Sequence, residues 1–207
     1  MQNSISSAQL VGNLAESKVV ECLESLSKSW QSFSSVEWRL IQQHGEQIGE
    51  ADAVVFHPQH GLIVVEIKAG AVYVKDGQWF YASGRPMSQS PCQQARRNRY
   101  ALMEKLSAKI GKETLNHLTV THAVFFPDLV WKSETPTELP SKSFLLDRQS
   151  LKNIENAFLQ IFKEASSTPK AWSKSQQHAI QQIFAPSVVT FSPLIVQVEK
   201  TSQALHR

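Results

Sequence analysis

The sequence predicts an α/β domain in which a sheet is covered by helices on both faces. Three observations predict it. Two β-branched runs, AlaAspAlaValValPheHis at 51–57 and LeuIleValValGluIleLys at 62–68, are apolar on both parities. Amphipathic helical spacing precedes them at 7–27 and follows them at 93–110. The length, 207 residues, suffices for such a layered core without help from disulfides. A strand that is apolar on both parities is buried on both faces, and helices are what cover it.

Taken in order, Val11, Leu14, Ala15, Val19, Cys22, Leu23 and Leu26 line one face of the first helix. Glu21 and Glu24 fall on its far side, whereas Glu16 lies at the rim of the buried face and alone leans toward an interior site. Val36–Gln42 reads as a strand. The two apolar runs, separated by ProGlnHisGly, read as a buried hairpin. AlaValTyrValLys at 71–75, an AspGly turn and GlnTrpPheTyr at 78–81 extend it as a meander. Pro86 and Pro91 punctuate a loop before the second helix, on which Cys92, Ala95, Leu102, Met103, Leu106 and Ile110 share a side. LeuThrValThrHisAlaValPhePhe at 118–126 supplies another buried strand, stopped by Pro127. Residues 132–143 form a surface loop and 151–162 a further amphipathic helix. AlaSerSerThrProLys at 165–170 has linker composition, which divides the chain into a domain at 1–165 and a short helix with a tail at 166–207.

Composition narrows the function. With 42% hydrophobic and 19% charged residues the chain is of the ordinary globular class. Its apolar runs are far shorter than the ~18 residues of a membrane helix, and the polar start MQNSISSAQ lacks a signal pattern, so neither secretion nor a membrane is expected. Cys22 and Cys92 stand alone, outside any thiolate zinc pattern, which points to a reducing compartment such as the cytoplasm. Net charge is only +3, yet residues 85–112 carry seven Lys/Arg against the single acid Glu104, a surface suited to a polyanion.

The chemistry concentrates at the hairpin. The register that sets His57 opposite Gly61 also sets Val54 opposite Val64, Asp52 opposite Glu66 and Glu50 opposite Lys68. Strand alternation then puts three carboxylates and one ammonium on one face, at the end away from the turn. A shift of one residue would place Asp52 opposite Ile67 and separate the acids. Close carboxylates raise each other's pKa unless a cation neutralises them, and Lys68 offsets one charge only. A divalent ion such as Mg²⁺ suits the excess, since it takes one or two carboxylates and leaves room for water and a substrate phosphate.

A Glu-x-Lys pair is common on solvated strands, and alone it says little. Here both charges follow LeuIleValVal, where an unpaired charge is costly. Gln94 and Asn98 share a flank of the second helix and are placed to hydrogen-bond a phosphate or a water; a pair of surface amides is the plain alternative. Arg96, Arg97 and Arg99, with Lys105 in the same basic run, suit phosphate contact, and a solvated basic face is the ordinary reading of the same pattern. Arg99 projects among Ala95, Leu102 and Leu106, so it is expected to find a carboxylate or phosphate. The seven histidines, among them His44 and His206, show no metal spacing; Trp79, Phe80 and Tyr81 read as split between core and surface, with base stacking the other use.

GlyGluAlaAsp at 49–52, ValValPheHisPro at 54–58, GlyLeuIleValValGluIleLys at 61–68, GlyGlnTrp at 77–79 and SerProCysGlnGlnAlaArgArgAsn at 90–98 resemble, in order and spacing, the nuclease-related domain called NERD. That family is a branch of the PD-(D/E)XK, restriction-endonuclease-like superfamily. The resemblance spans about residues 8–130 and implies a mixed sheet with one helix before it and another after the Glu-x-Lys strand. It also implies Asp52 and Glu66 as ligands of Mg²⁺ or Mn²⁺, the Ile67 carbonyl as a further ligand, Lys68 as catalytic lysine, and supporting roles for Glu16 and Gln94. The chain departs from the family pattern at Ala51, where an aliphatic residue is more usual, and at AsnLeuAlaGlu, where GlyGlu commonly opens the first helix.

Residues 171–184 resemble the opening segment of helicase motor domains, but no phosphate-binding loop follows; IleGlyLysGlu at 110–113 lacks its flanking residues. ATP hydrolysis is therefore not expected, while a helicase or other DNA-processing protein is an expected partner. Family analogy adds a homodimer. The function so implied is metal-dependent hydrolysis of DNA phosphodiesters. Its rival is a nucleic-acid-binding or docking module on the same fold.

Overall fold

The two runs apolar on both parities lie inside a five-stranded sheet, where residues 53–56 and 61–67 are buried on both faces. The computed structural model describes residues 7–42 and 45–185. Helix α1 (Ser7–Glu24) leads into strands β1 (Gln31–Gln42), β2 (Gly45–His57) and β3 (Gly61–Ile67). A short ribbon, β4 (Val72–Lys75) and β5 (Gln78–Tyr81), precedes helices α2 (Pro91–Ile110) and α3 (Lys112–Asn116). Strands β6 (Val120–Phe126) and β7 (Leu145–Asp147) and helices α4 (Ile154–Ala165) and α5 (Lys174–Phe184) follow. Sheet order is β1-β2-β3-β6-β7, antiparallel from β1 to β3 and parallel from β3 to β7. The sheet is therefore mixed, as the α/β reading implied.

Every residue of β3 and β6 is buried. Val55, Ile63, Val65 and Phe125 pack under α1 and α4 through Val19, Leu23, Phe158 and Ile161. Val54, Phe56, Leu62 and Val64 pack under α2 and α5 through Leu102, Leu106 and Ile180. The residues after the linker-like stretch join this second core: Trp172 is buried, its backbone N–H donates to the Pro58 carbonyl at 2.8 Å, and its ring meets Phe56 edge-on.

Helix α2 starts where Ser90 caps it, its side chain accepting from the Cys92 and Gln93 N–H groups with Pro91 in the first turn, and it stops at Gly111 with φ 85°. Gly61 is needed for a different reason. Its φ is 139°, and a Cβ there would run into the carbonyl of Thr119, the residue just before β6.

Two expectations need correction, and one strand was not expected. The 71–81 meander is not an extension of the hairpin; β4 and β5 form a separate two-stranded sheet, turned at Asp76 and Gly77 and anchored by Trp79 against Phe126 and Trp131. Leu14, assigned to the buried face of α1, is 56% exposed, because Ala15, Val19 and Leu23 make the contact. Strand β7 went unseen, since three residues at a sheet edge show no periodicity. The Val11 side chain, His44, His206 and the tail beyond 185 lie outside the described residues.

Candidate active site

The β2–β3 ladder runs from Ala53↔Val65 to His57↔Gly61, the register that brings the acids together. Beyond the Ala53↔Val65 pair no further backbone pair forms, and Asp52 Oδ2 accepts a 2.6 Å hydrogen bond from the Ile67 N–H. On the other side the ladder with β1 is interrupted opposite Asp52, between Ser34↔Ala53 and Val36↔Ala51, where Ser35 has φ 50°. Glu66 is 4% exposed. Its Oε1 accepts from Lys68 Nζ at 2.6 Å and its Oε2 from Asn98 Nδ2 at 3.1 Å. Lys68 is less enclosed, its side chain 23% exposed.

Burial and then the Asp52 charge push the Glu66 carboxyl up to about 7, against the opposing pull of Lys68. Asp52 is raised too, chiefly by burial, although the Ile67 N–H and Lys68 draw it down. Partial burial, then Asp52 and Glu50, also raise Glu16 at the end of this cluster. Glu50, expected opposite Lys68, is exposed and pairs across β1 with Glu37; it acts on the site through its charge.

Helix α2 supplies one wall. Asn98, expected among the phosphate-facing residues, is 2% exposed; while donating to Glu66 it accepts from Trp38 Nε1 at 3.0 Å. It therefore braces Glu66 from beneath. Arg97 is exposed, lies 5.8 Å over the Trp38 ring and lowers the Glu66 pKa. Arg96 is exposed next to it, and both line a groove of about 570 Å³ together with Trp38, Gln93 and Tyr100. Gln94 is half-buried, with its amide turned to the Gln89 carbonyl at 3.5 Å. Lys105 lies farther along and donates to the Glu37 carbonyl. Arg99 found no carboxylate: its guanidinium stacks 4.6 Å over Tyr100 and its Nε is buried without a partner. Trp79 is a core residue, its Nε1 bonded to Glu138, and is unavailable for stacking on bases.

Two participants escaped sequence reasoning. Trp38 is 60 positions from Asn98, and Asp128 ties Lys18 of α1 to the Gly70 N–H just past Lys68. No local motif announces either contact.

The carboxylates of Asp52 and Glu66 and nearby backbone oxygen are hard donors of the kind Mg²⁺ or Mn²⁺ takes. Among the described residues no three His, Cys, Asp or Glu side chains gather as a cage, so such an ion would depend on backbone, water and substrate for the rest of its shell. No helix is long and apolar enough to cross a membrane among the described residues.

The model of the nuclease-related domain family matches residues 11–127, more than half of the sequence. The chain belongs to the nuclease-related domain family. Every residue of the carboxylate cluster and of its α2 wall falls within this nuclease-related domain. A crystal structure of protein VC1899 from Vibrio cholerae is similar at 15% identity, with a TM-score of 0.35, over 75% of this chain and 34% of that one. This chain thus spans about a third of that protein. A search of curated proteins finds no significant relative.

Proposed function

We propose that this nuclease-related domain hydrolyses DNA phosphodiester bonds with Mg²⁺ or Mn²⁺, using Asp52, Glu66 and Lys68. The observation that carries the reading is the pairing of half-buried Asp52 with buried Glu66, two repelling carboxylates with a single ammonium, Lys68, bonded to Glu66. Asp52, Glu66 and the Ile67 carbonyl would hold the ion, which when bound supplies Lewis-acid polarisation of a phosphate oxygen and a more acidic water. Asp52 is kept in place by the Ile67 N–H, and Glu66 by Asn98 and Lys68. Lys68, partly open to solvent, offers its remaining N–H donors to the attacking water or the phosphoryl oxygens. Glu16 adds negative charge at the rim, and Arg96 and Arg97 hold the strand's phosphates in the adjoining groove.

The test is incubation of the pure protein with linear, nicked and circular DNA and either metal, beside Lys68→Ala and Asp52→Ala. Cleavage that both substitutions abolish is the expected result; cleavage unchanged in them defeats the assignment. The exposed arginines of α2 also support a second reading, a binding or docking module with little activity. Binding that persists in EDTA, weakens steeply with salt and never proceeds to cleavage would select it.

A further inference from the structure

A separate cavity of about 410 Å³ lies between α2, the start of β6 and the end of α4; Arg99, Thr119, Thr121, His122, Phe144 and Glu164 are among its lining. His122 is 7% exposed, and neither of its ring nitrogens has a hydrogen-bond partner. The Arg99 Nε is buried beside it, also without one. Three orphaned nitrogens in one place are costly, and native structures rarely leave them so. Burial, with the charges of Arg99 and Arg96, holds the His122 pKa down to about 4, so the ring is neutral and offers one N–H and one lone pair. Glu164, at the rim, is occupied by Ser141, Ser143 and Gln160 and does not serve Arg99.

The unmet demand is specific. Arg99 needs an acceptor, and His122 needs an acceptor and a donor. A singly protonated phosphate monoester has anionic oxygens and one P–OH, which answers all three. We propose that this cavity binds a phosphate monoester, with Arg99 and His122 as its polar contacts. Phe144 adds an apolar element to the lining. Two sources share this chemistry: a free nucleotide and the terminal phosphate of a nucleic-acid strand. The site is distinct from the Asp52–Glu66 cluster and does not rest on the cleavage proposal.

The experiment is run on the whole chain in EDTA, so that metal-dependent cleavage plays no part. Histidine ring resonances, with that of His122 assigned by its loss in His122→Gln, are followed during titration with inorganic phosphate, a deoxynucleoside 5′-monophosphate, and oligodeoxynucleotides with or without a 5′-phosphate. A saturable shift of the His122 signal is expected, weakened roughly tenfold or more in Arg99→Gln. A response to the mononucleotide identifies the free ligand; a response only to the phosphorylated strand identifies a strand end. Absence of any saturable shift at millimolar ligand overturns the proposal. So does equal affinity in Arg99→Gln with a wild-type melting curve. If that variant does not fold, Arg99→Lys, which keeps the charge and loses the fork, provides the same comparison.

Discussion

Asn98 donates a 3.1 Å hydrogen bond to Glu66 while accepting one from Trp38, so a single buried amide couples the α2 helix, the β1 strand and the central carboxylate. Asn98→Ala should lower stability by about 1–3 kcal/mol, the cost of leaving buried polar atoms unmatched. It should also reduce cleavage more than DNA affinity. Chemical denaturation and a comparison of kcat with KM check the two parts.

The crowded carboxylates predict a metal effect on stability. Mn²⁺ at a hundredfold its Kd should stabilise the protein by about 2.7 kcal/mol. Because protons compete for Glu66, whose pKa is about 7, the gain should be large above pH 7 and shrink as pH falls below it. Thermal melts with Mn²⁺ and with EDTA across pH, repeated in Glu66→Gln, measure it; equal gains in the variant count against this site.

His122 predicts an acid sensitivity of its own. Its folded pKa, about 4, is below the ordinary value of 6.5, so the unfolded chain binds the proton first as pH falls. The stability from a neutral buried ring is complete above pH 6.5 and is lost progressively between 6.5 and 4. Denaturation midpoints over that window should fall less steeply in His122→Gln than in the parent.

Gly61 tolerates no side chain. Gly61→Ala puts a methyl group against the Thr119 backbone and forces a φ of 139° on an L-residue. Backbone strain alone is worth about 1–3 kcal/mol, and the steric conflict adds to it. A melting temperature close to that of the parent protein would contradict the close β3–β6 approach.

Trp172 pins the C-terminal segment to the core. Replacing it with alanine removes its packing on Phe56 and should cost about 3–5 kcal/mol. Ending the chain at residue 165 removes Trp172 and α5 together and should destabilise at least as much. Calorimetry of the two proteins decides whether the segment is integral to the fold.

The hairpin and its register were legible because burial on both faces leaves a continuous β-branched run and because residues pair in fixed order about a short turn. The α2 helix was legible from its periodicity and its Pro and Gly punctuation. By itself, then, the sequence determined the central hairpin and the helices before and after it, and it put Asp52, Glu66 and Lys68 at one end of that hairpin. Tertiary structure alone decided that Asn98 turns inward to brace Glu66, that Asp128 joins α1 to the segment after β3, that Arg99 meets His122, and that Trp172 closes the second core. The physical reason is separation along the chain. Periodicity and turn chemistry act over a few residues, whereas these contacts join residues from about 20 to more than 110 positions apart, and only packing selects among the partners that could meet.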